Sequence, residues 1–182
     1  MSLMKDPAFD LKFTLAELQS HDNFMLVKLL KDLGDYPITK IMDKSGLTLL
    51  HHAVLSGIEQ KTQLLIDFGR NFQQLPEDEL LNWINKKTTD EGWTALHYGS
   101  FSGNIDSIYT LIENKADINV KNANGLNMMH VAAQGDSAPP LYHFRMLGVD
   151  QNSTDSRGST PLHWACYSQS ETALAYLLAW NP

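Results

Sequence analysis

Four stretches of this chain are variations on one phrase: DKSGLTLLHHAVLSG at 43–57, TDEGWTALHYGSFSG at 89–103, NANGLNMMHVAAQGD at 122–136 and DSRGSTPLHWACYSQ at 155–169. Gly92, Gly125 and Gly158 stand 33 residues apart, while Gly46 precedes Gly92 by 46, so the first interval carries 13 additional residues. A recurrence at this spacing confines the chain to a stacked architecture, because so small a unit cannot bury an apolar face without a neighbour.

Each unit reads as a turn followed by two helices. Gly46, Gly92, Gly125 and Gly158 sit where a tight turn needs positive φ, which glycine adopts at little steric cost. Thr48, Thr94, Asn127 and Thr160 stand just before apolar runs and can cap a helix, with Pro161 at the tolerated first-turn position. Second helices follow with apolar spacing of three and four, as in Leu64, Leu65 and Phe68, then Ile105, Ile108, Leu111 and Ile112, then Leu174, Leu177 and Leu178. Ala53, Gly99, Ala132 and Ala165 recur two after the histidine, where neighbouring helices must approach closely. The period and the pattern Gly-x-Thr-x-Leu-His-x-Ala resemble the ankyrin repeat. That resemblance implies an all-α ankyrin-repeat solenoid of helix-turn-helix units.

The sequence divides 1–182 into one domain: an N-terminal capping repeat at 1–42, a repeat with an inserted helix at 43–88, repeats at 89–121 and 122–154, and a truncated last repeat at 155–182. In residues 14–34, Asp22 or Asn23 caps a helix with Phe24, Val27, Leu30 and Leu33 on its apolar face, ended by Gly34. In the insertion, Pro76 followed by Glu77, Asp78 and Glu79 predicts a helix start, and Leu80, Leu81, Trp83 and Ile84 supply apolar docking surface for a helix at about 76–85.

Composition narrows the function. Fourteen basic against twenty-one acidic residues leave a formal charge of −7, which argues against a phosphate-backbone partner; no nucleic acid is expected. Cys166 is the only cysteine, so no internal disulfide and no thiolate-rich zinc site can form, in keeping with a cytoplasmic setting. No run reaches the roughly 18 apolar residues of a membrane-spanning helix, so no direct membrane insertion is expected.

Catalysis finds little support. His51, His97, His130 and His163 occupy one position in successive repeats, about a helix-packing distance of 8–10 Å apart and too far to share a metal ion. In the resembled family this histidine tethers its turn by hydrogen bonds. Cys166, where that family usually has alanine, is expected to face the packed seam between helices. No catalytic, cofactor or metal residues are assigned to this fragment, and it is not expected to be an enzyme.

The resemblance implies instead a partner groove formed by the turn tips and the exposed side of the first helices. Matching residues are Leu47, Glu91, Trp93, Leu126 and Arg157 at the tips, Phe101, Gln134 and Tyr167 on the first helices, and Tyr98 and Trp164 nearer the seam. The aromatics either line the groove or pack on neighbouring tips. Groove exposure is the expectation for Trp93, with alanine at Trp93 and Phe101 abolishing partner capture while sparing stability. The partner is expected to be a protein or extended peptide, and Tyr176, Leu178 and Trp180 would allow end-to-end self-association. More finely, STPLHWACYSQSETALAYLLAW at 159–180 and MHVAAQGDSAPPLYHF at 129–144 resemble the ankyrin region of membrane-bound Asp-His-His-Cys protein S-acyltransferases (palmitoyltransferases). This finer resemblance implies a substrate-recruiting module at the cytosolic face of a membrane, whose transferase chemistry lies outside these residues; Gln169 departs from that pattern, which has glycine there.

Overall fold

The capping threonines and the small residues behind them set the architecture. The structure, a computed structural model, describes residues 15–20, 23–34, 36–58 and 60–180. Its helices run in pairs. After α1 (Asn23–Asp32) and a 3-10 turn at Ile38–Lys40 come α2 (Leu49–Ser56) with α3 (Lys61–Asp67), then α4 (Glu77–Ile84) in the insertion. They are followed by α5 (Ala95–Ser102) with α6 (Ile105–Glu113), α7 (Met128–Gln134) with α8 (Ala138–Met146), and α9 (Pro161–Tyr167) with α10 (Glu171–Ala179).

First helices pack on first helices along the series α2, α5, α7, α9, and second helices on second helices along α3, α6, α8, α10. Close approach is possible because Ala53, Ala132 and Ala165 are fully buried, and because a methyl group at Gly99 would already press on Ile108 and Val54. Between the two layers lies a continuous core that runs from Leu26 and Leu30 through Leu50, Ile108, Met129 and Phe144 to Leu177. The all-α solenoid is therefore the observed fold, each interface burying side chains from two repeats.

Before each first helix the chain projects as a finger. Each finger closes on a backbone hydrogen bond: Asp43 to Leu47, Thr88 to Trp93, Asn122 to Leu126 and Asp155 to Ser159. The second spans one residue more than the others. Fingers are also joined to one another, Thr89 N–H donating to the Ser45 carbonyl, Ala123 to Glu91 and Ser156 to Asn124. Two lysines repeat the link, Lys87 Nζ donating to the Lys121 carbonyl at 2.7 Å and Lys121 Nζ to that of Thr154 at 3.2 Å.

The 13 additional residues lengthen the first repeat in two steps. The helix of α3 widens into a π-helical turn at Phe68–Phe72, where the two phenylalanine rings stack at 4.7 Å, and α4 follows with Leu80, Trp83 and Ile84 buried. Gln73 then fastens the insertion to the preceding segment. Its Oε1 accepts from the Ile38 N–H at 2.9 Å, and its Nε2 donates to the Tyr36 carbonyl at 2.8 Å. Glu79 in the first turn of α4 accepts from the Thr39 hydroxyl at 2.6 Å. A segment legible only as a helix with an apolar face is thus the clasp of the N-terminal end.

Two expectations about packing are corrected. In α1 it is Leu26 and Leu30 that are buried, whereas Phe24 is 71% exposed: the inward stripe starts two residues later than Phe24. Asp22, the alternative cap, lies outside the described residues. Cys166 is exposed and does not face the seam. The seam position in α9 belongs to Ala165, and one residue further along a helix turns a side chain by about 100°.

After α2 and α5 the chain turns through the left-handed region on Gly57 and Gly103, but after α9 it does so on Gln169, at φ 57°. A side chain there costs roughly 1 kcal/mol. Replacing Gln169 with glycine should therefore raise the melting temperature modestly, a change that thermal denaturation followed by circular dichroism will detect.

Candidate protein-binding face

Each finger is held to its helix by a reciprocal cap. The hydroxyl of Thr48 accepts from the backbone N–H three residues on, and His51 at that third position returns the bond, its Nδ1 accepting from the Thr48 N–H at 3.1 Å. Thr94 with His97, Asn127 with His130 and Thr160 with His163 repeat the arrangement. In His51 and His97, where Nδ1 accepts from a backbone donor, the proton resides on Nε2. In His97 that Nε2 donates to the Leu126 carbonyl at 3.2 Å, and in His130 to the Ser159 carbonyl at 3.1 Å, each time reaching the next finger. One imidazole thus caps its own helix and holds the following repeat.

Burial works against protonation of His51, His97 and His130. Desolvation pushes His51 and His97 down to about 4, against the opposing pull of backbone carbonyls at Trp93 and Leu126 respectively, and it lowers His130 as well. Since the folded values lie below the ordinary 6.5, the unfolded chain binds protons that the folded chain does not accept. Stability is complete above that ordinary value and falls as pH drops toward the folded one, by up to about 1.4 kcal/mol per pH unit for each histidine. The melting temperature should decline steadily from about pH 7 to about pH 5. A flat profile would contradict neutral buried tethers.

The residue after each tether leans back on its finger. His52 Nε2 lies 3.1 Å from Asp43, and Trp164 Nε1 donates to Asp155 at 2.9 Å. Burial works against the Asp155 carboxylate, yet the hydrogen bonds from Trp164 and from the N–H groups of Ser159 and Arg157 hold it below the usual carboxylate range. Tyr98 occupies the same position in the second repeat, between His51 at 5.8 Å and Trp93 at 5.0 Å between ring centroids.

Trp93 is the centre of a small second core with Leu126 and Val131, bordered by Tyr98 and Trp164. At 9% and 3% exposure, Trp93 and Leu126 are the floor of the groove and present almost no area to a partner, contrary to the expectation from sequence. The widened second finger folds the indole down onto His97, Tyr98 and Phe101 instead of outward. Removal of Trp93 consequently costs stability: Trp93→Ala should lower it by about 3 kcal/mol or more, measured by chemical denaturation.

Above that floor the face is open. Leu55, Phe101, Gln134 and Tyr167 hold one register position on four adjacent first helices; Phe101 is 40% and Tyr167 73% exposed, and Gln134 is half-buried. Glu91 and Arg157 are exposed at the finger tips, and Leu47 is half-buried. The structure brings these residues along one side of the stack. Sequence reasoning missed Asp136, whose carboxylate accepts from the Ala173 N–H at 2.8 Å and the Thr172 hydroxyl at 3.1 Å, capping the next repeat's second helix. Its only signal was an acid at the position where the first two repeats carry glycine.

A family model described as ankyrin repeats in three copies matches residues 15–122 and 102–181. The chain belongs to the ankyrin-repeat family. It is 29% identical over 79% of its length to the NAD-dependent deacetylase sir2B of Dictyostelium discoideum, covering 16% of that protein. It is 25% identical over 88% of its length to the target of rapamycin complex 2 subunit AVO2 of Saccharomyces cerevisiae, covering 34%. Human ankyrin repeat domain-containing protein 53 matches 43% of the chain at 30% identity, with 16% of that protein covered. The chain thus spans between about a sixth and about a third of these relatives. Ankyrin repeats are in general protein-interaction modules. Among the described residues no group of three or more histidine, cysteine or acidic side chains could hold a metal ion, and no helix is long and apolar enough to cross a membrane.

Proposed function

We propose that this chain binds a protein partner, as an extended segment, on the concave face formed by its fingers and first helices. The observation that carries this reading is the open row Leu55, Phe101, Gln134 and Tyr167, with three apolar members presented on four adjacent helices above a rigid floor. Apolar and aromatic groups held outward by a packed scaffold lose little freedom on binding, and tyrosine and tryptophan side chains dominate binding energy at such faces. The exposed tips Glu91 and Arg157 and the half-buried Leu47, Tyr98 and Trp164 frame the row.

A library of short random peptides displayed on phage and selected on the folded chain tests the reading. Peptides enriched on the wild-type chain should bind the double variant Leu55→Ser/Tyr167→Ser at least about tenfold more weakly, a loss near 1.4 kcal/mol, while its melting temperature stays close to wild type. Enriched peptides indifferent to both substitutions would place the partner elsewhere.

A finer reading follows from the pattern at 159–180: recruitment of substrates to an acyltransferase encoded in the same gene. The relatives named above do not include such an enzyme. The Ala-Trp ending behind that pattern does structural work here, since the Trp180 ring lies 4.0 Å beneath the Arg145 guanidinium and its carbonyl accepts from Gln151. End-to-end self-association is favoured by a different observation, the exposure of Leu178 on α10 and of Trp180 just after it. Sedimentation over a range of concentrations separates it from the concave-face reading.

A further inference from the structure

The second finger differs from the other three in how it spends its acids. In fingers one, three and four the first residue, Asp43, Asn122 or Asp155, turns its side chain inward, its Oδ1 accepting from two N–H groups of its own loop. In the widened second finger Thr88 takes over part of this task, its hydroxyl accepting from the Trp93 N–H at 3.0 Å. Asp90 and Glu91 stand at the tip as two consecutive exposed carboxylates, Asp90 Oδ1 accepting a single loop N–H, that of Glu91, at 2.6 Å. The equivalent tips carry Lys44 and Ser45, Ala123 and Asn124, and Ser156 and Arg157.

Beneath this acidic tip lie the aromatic rings with the closest mutual contacts on the concave face. Phe101 is exposed and Tyr98 half-buried, both set against Trp93 at 5.9 and 5.0 Å. The acids belong to the same locality: behind burial, the fields of Asp90, Glu91 and Asp43 all hold the Tyr98 hydroxyl above its ordinary value. An aromatic surface with carboxylates at its edge attracts an organic cation twice, through the ring quadrupoles and through charge. Lys87, the nearest base in sequence on the finger, has its ammonium committed to the Lys121 carbonyl.

We infer that the middle of the concave face receives one arginine or lysine side chain of an extended partner segment, seated on Tyr98 and Phe101 between the Asp90 and Glu91 carboxylates. This rests on the concave-face reading and specifies its partner. A single central cation is specified, rather than a polybasic run, because Lys44 and Arg157 stand at the tips of the outer fingers and repel further positive charge. A second copy of this chain is a poor occupant, as its formal charge of −7 opposes close approach.

The test uses the peptides selected above. Those lost on the Leu55→Ser/Tyr167→Ser chain should carry a single arginine or lysine, and changing that residue to glutamine should weaken binding about tenfold. Asp90→Asn/Glu91→Gln, with its melting temperature checked, should weaken the parent peptide to the same extent and leave the glutamine peptide unaffected. Raising the salt concentration should weaken only the charged pairing. Concave-face peptides without a basic residue, or with one whose affinity ignores Asp90→Asn/Glu91→Gln, overturn this inference and leave the concave-face reading standing. A selection that enriches nothing, or only peptides insensitive to the Leu55→Ser/Tyr167→Ser change, overturns both.

Discussion

The bond from a histidine Nε2 to the carbonyl of the next finger is the interaction on which the rest of this molecule depends. It is made by a ring whose other nitrogen is already fixed by the cap of its own helix, so little freedom is lost in forming it. His97 and His130 make it to the Leu126 and Ser159 carbonyls. His51 stands one step earlier, facing the Trp93 carbonyl without reaching the same bond geometry, at the place where the second finger is widened. A buried polar ring is costly unless satisfied on both sides, and that cost confers register: a repeat displaced along the stack would leave its imidazole unpaired.

Registered fingers in turn create the face. Backbone bonds from Thr89, Ala123 and Ser156 to the preceding finger, with the lysine links beside them, place the tips in a row. The first helices fall into line behind them because Ala53, Gly99, Ala132 and Ala165 allow close contact, so one register position in each helix points to the same side. In the function proposed above, a linear protein segment would meet that row without asking the scaffold to move, which is the physical advantage of a stack over a loop-built site.

Within this regular frame the departures carry the individuality. The insertion does not disturb the stack because it is absorbed at one end, by a π-helical turn, by Gln73 and by the apolar side of α4. The extra residue in the second finger has the larger effect on chemistry, turning Trp93 inward and leaving two acids outside. Strain is accepted at Gln169, where a glycine would do the same work more cheaply.

By itself the sequence determined the period, the turn glycines, the capping residues, the helix in the insertion and hence the stacked all-α fold, because each rests on local backbone preferences that a few neighbouring residues express. It also determined that four histidines share a position, which removed them from consideration as a metal site. Only the tertiary structure decided which side chains of the finger and first-helix face are exposed. Trp93 and Phe101 read alike in sequence, yet one is floor and the other surface, since burial depends on how wide the finger is and on Leu126 and Val131 of the next repeat. Cys166 and Phe24 were misplaced for a related reason: a helical pattern identifies a stripe, but the neighbour that packs against it fixes which edge of the stripe is dry.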